Sequence, residues 1–243
     1  MNGRRATIVA LVALLSFASA AQSAQQTEGS VLQVGSWHGD EVRAETGQLW
    51  YGLFRGKNGY ELKRTRLEIT LAHDPIVDEG GRQTGKKVTV SDRLEPLFLV
   101  RNIPGCKPGP VPTVFSSSQR TAGAMRLNER RRFNFGSKEY VLSVAGQGEL
   151  MAKSGDTYIN SYQITLTAGT TSQVLASHND CNLGSGEGPR LLWAGDLDGD
   201  KKLDLLLDVT PHYNMMVLKL FISSRASKGA LVVPVAEWTT TGC

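Results

Sequence analysis

The apolar positions of this chain recur at intervals of two far more than at helical intervals. Leu67, Ile69 and Leu71 alternate with polar residues, as do the positions of Lys87-Val88-Thr89-Val90, and strand-like runs follow at Glu139 to Val144 and Ser161 to Thr167. Alternation of this kind is the mark of strands that bury one face. Further strands are predicted at Gln48 to Phe54, Pro96 to Val100, Arg132 to Phe135, Glu149 to Met151, Ser172 to Leu175, Met215 to Ile222 and Leu231 to Val235. Gly56-Lys57-Asn58-Gly59 between two runs predicts a hairpin, because Asn-Gly tolerates positive φ. Strand and turn signals repeat roughly every 8–14 residues without a sustained helical period, apart from one helical turn expected at Ser224 to Lys228. The expected fold class is mainly β, with antiparallel sheets in a sandwich or barrel-like arrangement.

Two continuous apolar runs, Leu191 to Ala194 and Leu203 to Val209, depart from this alternation and flank a short acidic loop. In it Asp196, Asp198, Asp200 and Asp204 occupy places one, three, five and nine. Carboxylates this close repel unless a positive charge lies between them, and a hard cation with oxygen ligands answers that need. Ca2+ takes about six to eight oxygens, so a short loop must turn its acids inward. The Lys202 carbonyl is suitably spaced to add a ligand, while Leu197 and Leu203 would anchor the loop to the core. Place twelve is Leu207 rather than a bidentate glutamate and no helical pattern flanks the loop, so an EF-hand does not fit.

The stretch Gly195-Asp196-Leu197-Asp198-Gly199-Asp200 followed by Leu203-Asp204-Leu205 resembles the calcium loop of FG-GAP or VCBS-type repeats, the integrin-α-like motif. The likeness covers residues 190–209. It implies Asp196, Asp198, Asp200 and Asp204 as side-chain ligands and Lys202 as the carbonyl ligand. Lys201 stands at the sixth place, where the motif usually has glycine. A left-handed non-glycine residue costs on the order of 1 kcal/mol, so this departure bears on the turn and on affinity. A single copy cannot build the propeller of the repeats, so the likeness extends to the loop alone. Asp208 shares a strand face with Asp204 and is expected outside the ligand set.

The N-terminus adds a compartment. Arg4 and Arg5, an apolar stretch from Ala6 to Leu15 and small residues at Ala18-Ser19-Ala20 have the order of a secretory signal peptide at 1–20. The protein is therefore expected to be exported, to the periplasm or outside the cell, with no transmembrane segment. The formal net charge of +4 falls to about +2 without those two arginines, which gives no support to nucleic-acid binding. Lys63-Arg64-Thr65-Arg66 and Arg130-Arg131-Arg132 read as solvated faces or as a patch for an acidic partner. In an oxidising compartment the three cysteines predict one disulfide. Cys181–Cys243 would close a loop of about 60 residues and contribute on the order of 3–4 kcal/mol, and Cys106 could equally pair with Cys181.

Organisation follows from composition. After the signal comes a polar segment, 21–47, mobile at its start, then β subdomains at 48–115 and 116–243, the second holding the calcium loop 196–204. Four prolines between Pro104 and Pro112 predict an extended surface connection near the boundary. The four histidines lack zinc-ligand spacing, and His73-Asp74 and His178-Asn179-Asp180 are at most fragments of a catalytic triad. Cys106 beside Lys107 reads as a loop thiol or disulfide partner. Trp50, Tyr51, Phe54 and Trp193 would form a carbohydrate platform if exposed, but their strand membership favours the core. The expected function is a non-catalytic binding role towards a protein or glycan. A secreted hydrolase with structural calcium, or an inhibitor or immunity-type partner of an exported enzyme, stands as the alternative.

Overall fold

The computed structural model describes residues 29–117, 123–150, 157–184 and 188–241. The expected signal peptide, Met151, Cys243 and residues 185–187 of the glycine-rich stretch before Arg190 lie outside these residues. The described residues form sixteen strands and no helix. The mainly-β antiparallel expectation therefore holds, and the helical turn expected at 224–228 is instead an irregular turn closed by Ala226 N–H to Ser223 O at 3.1 Å. Among the described residues no helix is long and apolar enough to cross a membrane.

Three antiparallel sheets account for the strands. The first contains β1 (Ser30–Leu32), β2 (Gly35–Trp37), β3 (Leu49–Gly56), β4 (Gly59–Ala72), β5 (Gly85–Val90), β6 (Leu99–Arg101) and β7 (Gly109–Val111), ordered β1-β6-β3-β4-β5-β2 with β7 on β4. β8 (Thr113–Ser116) leaves for another sheet. β9 (Arg130–Phe135), β10 (Lys138–Leu150), β11 (Thr157–Ala168) and β12 (Thr171–His178) form a second sheet, a meander. β13 (Arg190–Gly195), β14 (Asp204–Asp208), β15 (Met215–Ile222) and β16 (Val233–Thr241) complete the third, ordered β16-β15-β14-β13-β8.

The third sheet lies between the other two, and this explains the two continuous apolar runs. Leu206 of β14 packs in the core shared with the first sheet, whereas Leu205 and Leu207 pack in the core shared with the meander. β13 divides similarly, with Leu192 and Trp193 on one side and Leu191 and Ala194 on the other. A strand buried on both faces has no place for alternating polar residues. A bulge between Leu191 and Trp193 sets two successive β13 residues on one side.

Several boundaries differ from expectation for identifiable reasons. The polar segment 21–47 contributes β1 and β2, which are three residues each and too short to show a period. Of Pro96–Val100 only the last two residues enter β6, although Leu97 N–H and Phe98 C=O still bond β3 through Leu53. The proline-rich stretch is not wholly a surface connection. Gly109–Val111 pairs with β4 on a sheet edge, where Pro110 needs no N–H to donate.

The disulfide expectation is corrected for the described residues, in which Cys106 and Cys181 are free thiols. Cys106 packs against the core of the first sheet and Cys181 belongs to the core of the meander, with the central sheet between. Trp50, Phe54 and Trp193 are buried, so strand packing rather than a sugar platform accounts for them. Within the two basic groups Lys63 pairs with Glu61, Arg131 with Glu129 and Arg132 with Glu139.

Candidate metal centre

The acidic loop joins β13 to β14 by a short path, and its first aspartate holds it folded. Asp196 Oδ1 accepts the N–H groups of Gly199 at 2.7 Å and Asp200 at 3.1 Å, while its Oδ2 accepts that of Lys201 at 2.9 Å. A carboxylate that gathers successive backbone donors fixes a turn without regular secondary structure. Gly199 has φ +85°, and Lys201 adopts the expected left-handed conformation at φ +65°. The neighbouring Leu197 and Leu203 are buried in different cores, so the loop is anchored on both faces of the central sheet.

Asp204 closes the loop and is fully buried. Its Oδ2 accepts Leu197 N–H at 2.8 Å, and its Oδ1 accepts Ser223 N–H at 2.8 Å and lies 2.8 Å from Ser223 Oγ. These partners are all neutral. Burial, with the Asp198 charge nearby, pushes the Asp204 carboxyl up to about 8. The Asp198 carboxyl is raised too, by burial first and then by Asp200 and Asp196, against the hydrogen bond it accepts from the Ser224 hydroxyl.

Asp196, Asp198 and Asp204 each offer an oxygen such that the three lie within 4.8 Å of one another. Carboxylates converging at this separation favour a cation bound between them, and their oxygen chemistry suits a hard divalent ion. Asp200 stands apart from that set. Its Oδ1 accepts Lys202 N–H at 2.8 Å and lies 3.0 Å from Ser223 Oγ, while its Oδ2 pairs with Lys202 Nζ at 3.1 Å. One serine hydroxyl thus links Asp200 to Asp204 at the edge of the cluster.

Sequence spacing found the acids but not their supports. Ser223 and Ser224 lie about twenty residues away in the chain and carry no spacing signal. Gly105 is another support: with φ +84° it passes so close that a Cβ there would stand 2.9 Å from the Asp198 Cβ. Next to it, burial and the charges of Asp198 and Asp204 raise the Cys106 thiol to about 12, the opposite of a thiol activated for reaction.

The histidine fragments regroup. Asp74, buried, is hydrogen-bonded to His38 rather than to its neighbour His73, which is exposed and lies 4.0 Å from Asp78. His178 packs against Tyr162, and burial lowers its basicity. Asp208 sits at the far end of β14 from Asp204, directly across the ladder from Arg190, with Oδ2 3.8 Å from Arg190 Nη1. Comparisons with protein-family models, curated proteins and solved structures found no match to this chain.

Proposed function

We propose that this is an exported calcium-binding β protein with a non-catalytic binding role at the cell envelope or outside the cell. The observation that carries the metal reading is the convergence of Asp196, Asp198 and Asp204 within 4.8 Å. These three carboxylates would hold Ca2+, with Asp200 and the Lys202 carbonyl joining by likeness to the FG-GAP/VCBS loop. The ion would supply positive charge to a cluster whose most deeply buried member, Asp204, is otherwise held by neutral donors.

Its role is structural. The loop unites Leu197 in one core, Leu203 in the other and the chain after β15 through Ser223 and Ser224, so fixing it fixes the central sheet. Export follows from the signal-like residues 1–20.

The test is a thermal melt with Ca2+, with Mg2+ and with chelator, beside the double variant Asp198→Asn/Asp200→Asn. A calcium-specific rise in Tm that the variant loses supports the site. No shift at millimolar Ca2+ would leave the acids as a turn held by its own hydrogen bonds and end the calcium reading.

A further inference from the structure

The opposite end of the β13–β14 hairpin borders a cavity of about 690 Å³. That is within the roughly 300–1,000 Å³ usual for small-molecule sites. Among the described residues its walls come from the first and central sheets: Trp37 of β2, Tyr60 of β4, Arg190 of β13, Asp208 of β14 and Tyr213 in the turn before β15. By strand rise it lies about 13 Å from the acidic loop, since four residue steps separate Asp204 from Asp208.

The lining has two chemical features. Among the described residues its charges balance: Arg55 and Arg190 face the same space as Glu95 and Asp208. The inner pair is buried, and Asp208 is further held by the N–H groups of Thr210 and Val217, each at 3.2 Å to Oδ1. A ligand with net charge would upset this balance, and a wholly apolar one would cover polar groups without replacing their water. The second feature is aromatic. Trp37 is held in place by its Nε1–H bond to Gln33 O at 3.2 Å and by edge contact with Trp238 at 4.7 Å. The Tyr60 hydroxyl is bonded to Ser116, and Tyr213, 59% exposed, lies against His212.

Aromatic faces beside guanidinium, carboxylate and hydroxyl groups match one ligand chemistry well. A pyranose offers C–H faces to stack on rings and adjacent hydroxyls that both donate and accept. We propose that this cavity binds a neutral oligosaccharide of two or three sugar rings. The inference rests on the binding role proposed above and gives that role a site and a ligand class.

The test uses the full chain with maltotriose, cellotriose, chitotriose and mannotriose as neutral probes and trigalacturonate as the acidic comparator, read by tryptophan fluorescence and calorimetry. The expected result is saturable binding of at least one neutral probe below about 10 mM, weakened about tenfold or more by Tyr213→Ala. Tyr213 is exposed, so this change leaves the core intact, which the variant's unaltered Tm checks. Binding by none of the neutral probes, tighter binding of trigalacturonate, or an unaltered affinity in Tyr213→Ala overturns the proposal. The calcium melt is a separate readout. A Ca2+ shift without sugar binding ends the cavity proposal alone, and sugar binding without a Ca2+ shift ends the metal reading alone.

Discussion

The β13–β14 hairpin carries a buried aspartate at each end, and the two are solved differently. Asp208 has a guanidinium across the ladder in Arg190 and two backbone donors. Asp204 has backbone and serine donors, but its charged neighbours within the cluster are further carboxylates. A buried carboxylate with an internal counter-charge is complete as folded. One whose charged neighbours are acids gains from an ion supplied by solution or from a proton, and the Asp204 carboxyl is indeed displaced to about 8. One hairpin thus separates a finished ion pair beside a cavity from an acidic cluster suited to a cation.

The largest effects should come from truncating either acid. Asp208→Ala removes the carboxylate that Arg190 faces across the ladder and the acceptor of Thr210 and Val217 N–H, and Asp204→Ala removes the acceptor of Leu197 and Ser223 N–H. Each should cost about 3–5 kcal/mol in urea unfolding. The comparison is sharpened by calcium: Asp208→Ala should keep the Ca2+-dependent rise in Tm, and Asp204→Ala should lose it. If both keep it, the two ends do not differ in the way described.

Single variants of the loop come next. Asp198→Asn should weaken Ca2+ binding by calorimetry at least about tenfold, since Asp198 is one of the three converging acids. Asp200→Asn should weaken it less, because Asp200 is already engaged by Lys202 and Ser223. Equal losses would put Asp200 in the cluster on the same footing.

The pH dependence has a defined sign. Asp204 binds its proton more tightly in the folded chain than in the unfolded one, because its carboxyl is raised from 3.8 to about 8. In chelator, folding should therefore weaken as pH rises from about 4 to about 8, since the unfolded state releases that proton first. Ca2+ requires the ionised form, so its stabilising effect should grow over the same interval. A chelator-treated melt that is level or rises with pH from this group's window would contradict the burial argument.

The smallest effect concerns Cys106. Its thiol is raised to about 12, so alkylation by iodoacetamide at pH 8 should be slow in the folded protein and fast in urea, as followed by mass spectrometry. Rapid labelling of the folded protein would show that the contact between residues 105–106 and the acidic loop is open.

Much of the fold was legible because strands with one buried face write their own period. Leu67, buried, and Ile69, half-buried, marked β4 although Leu71 at its end is exposed, and the Asn-Gly pair marked the β3–β4 hairpin, which the ladder closes at Gly56–Gly59. The acids of the loop were legible for a related reason: their mutual spacing is local. Ser223, Ser224, Gly105 and the Arg190–Asp208 pair were not, because each becomes relevant only through a partner far along the chain or across a strand ladder. The cavity was equally hidden, since Trp37, Tyr60 and Tyr213 come from three separated segments.

The sequence by itself therefore determined the β class, most strand positions and the tight grouping of aspartates, all of which depend on neighbours within a few residues. Only the tertiary structure decided that the apolar hairpin is a central layer, that the two described cysteines stay apart in different cores, and which acids converge. Period and spacing are properties of a segment. Burial on two faces, and the charge that a buried group meets there, are properties of what the rest of the chain packs against it.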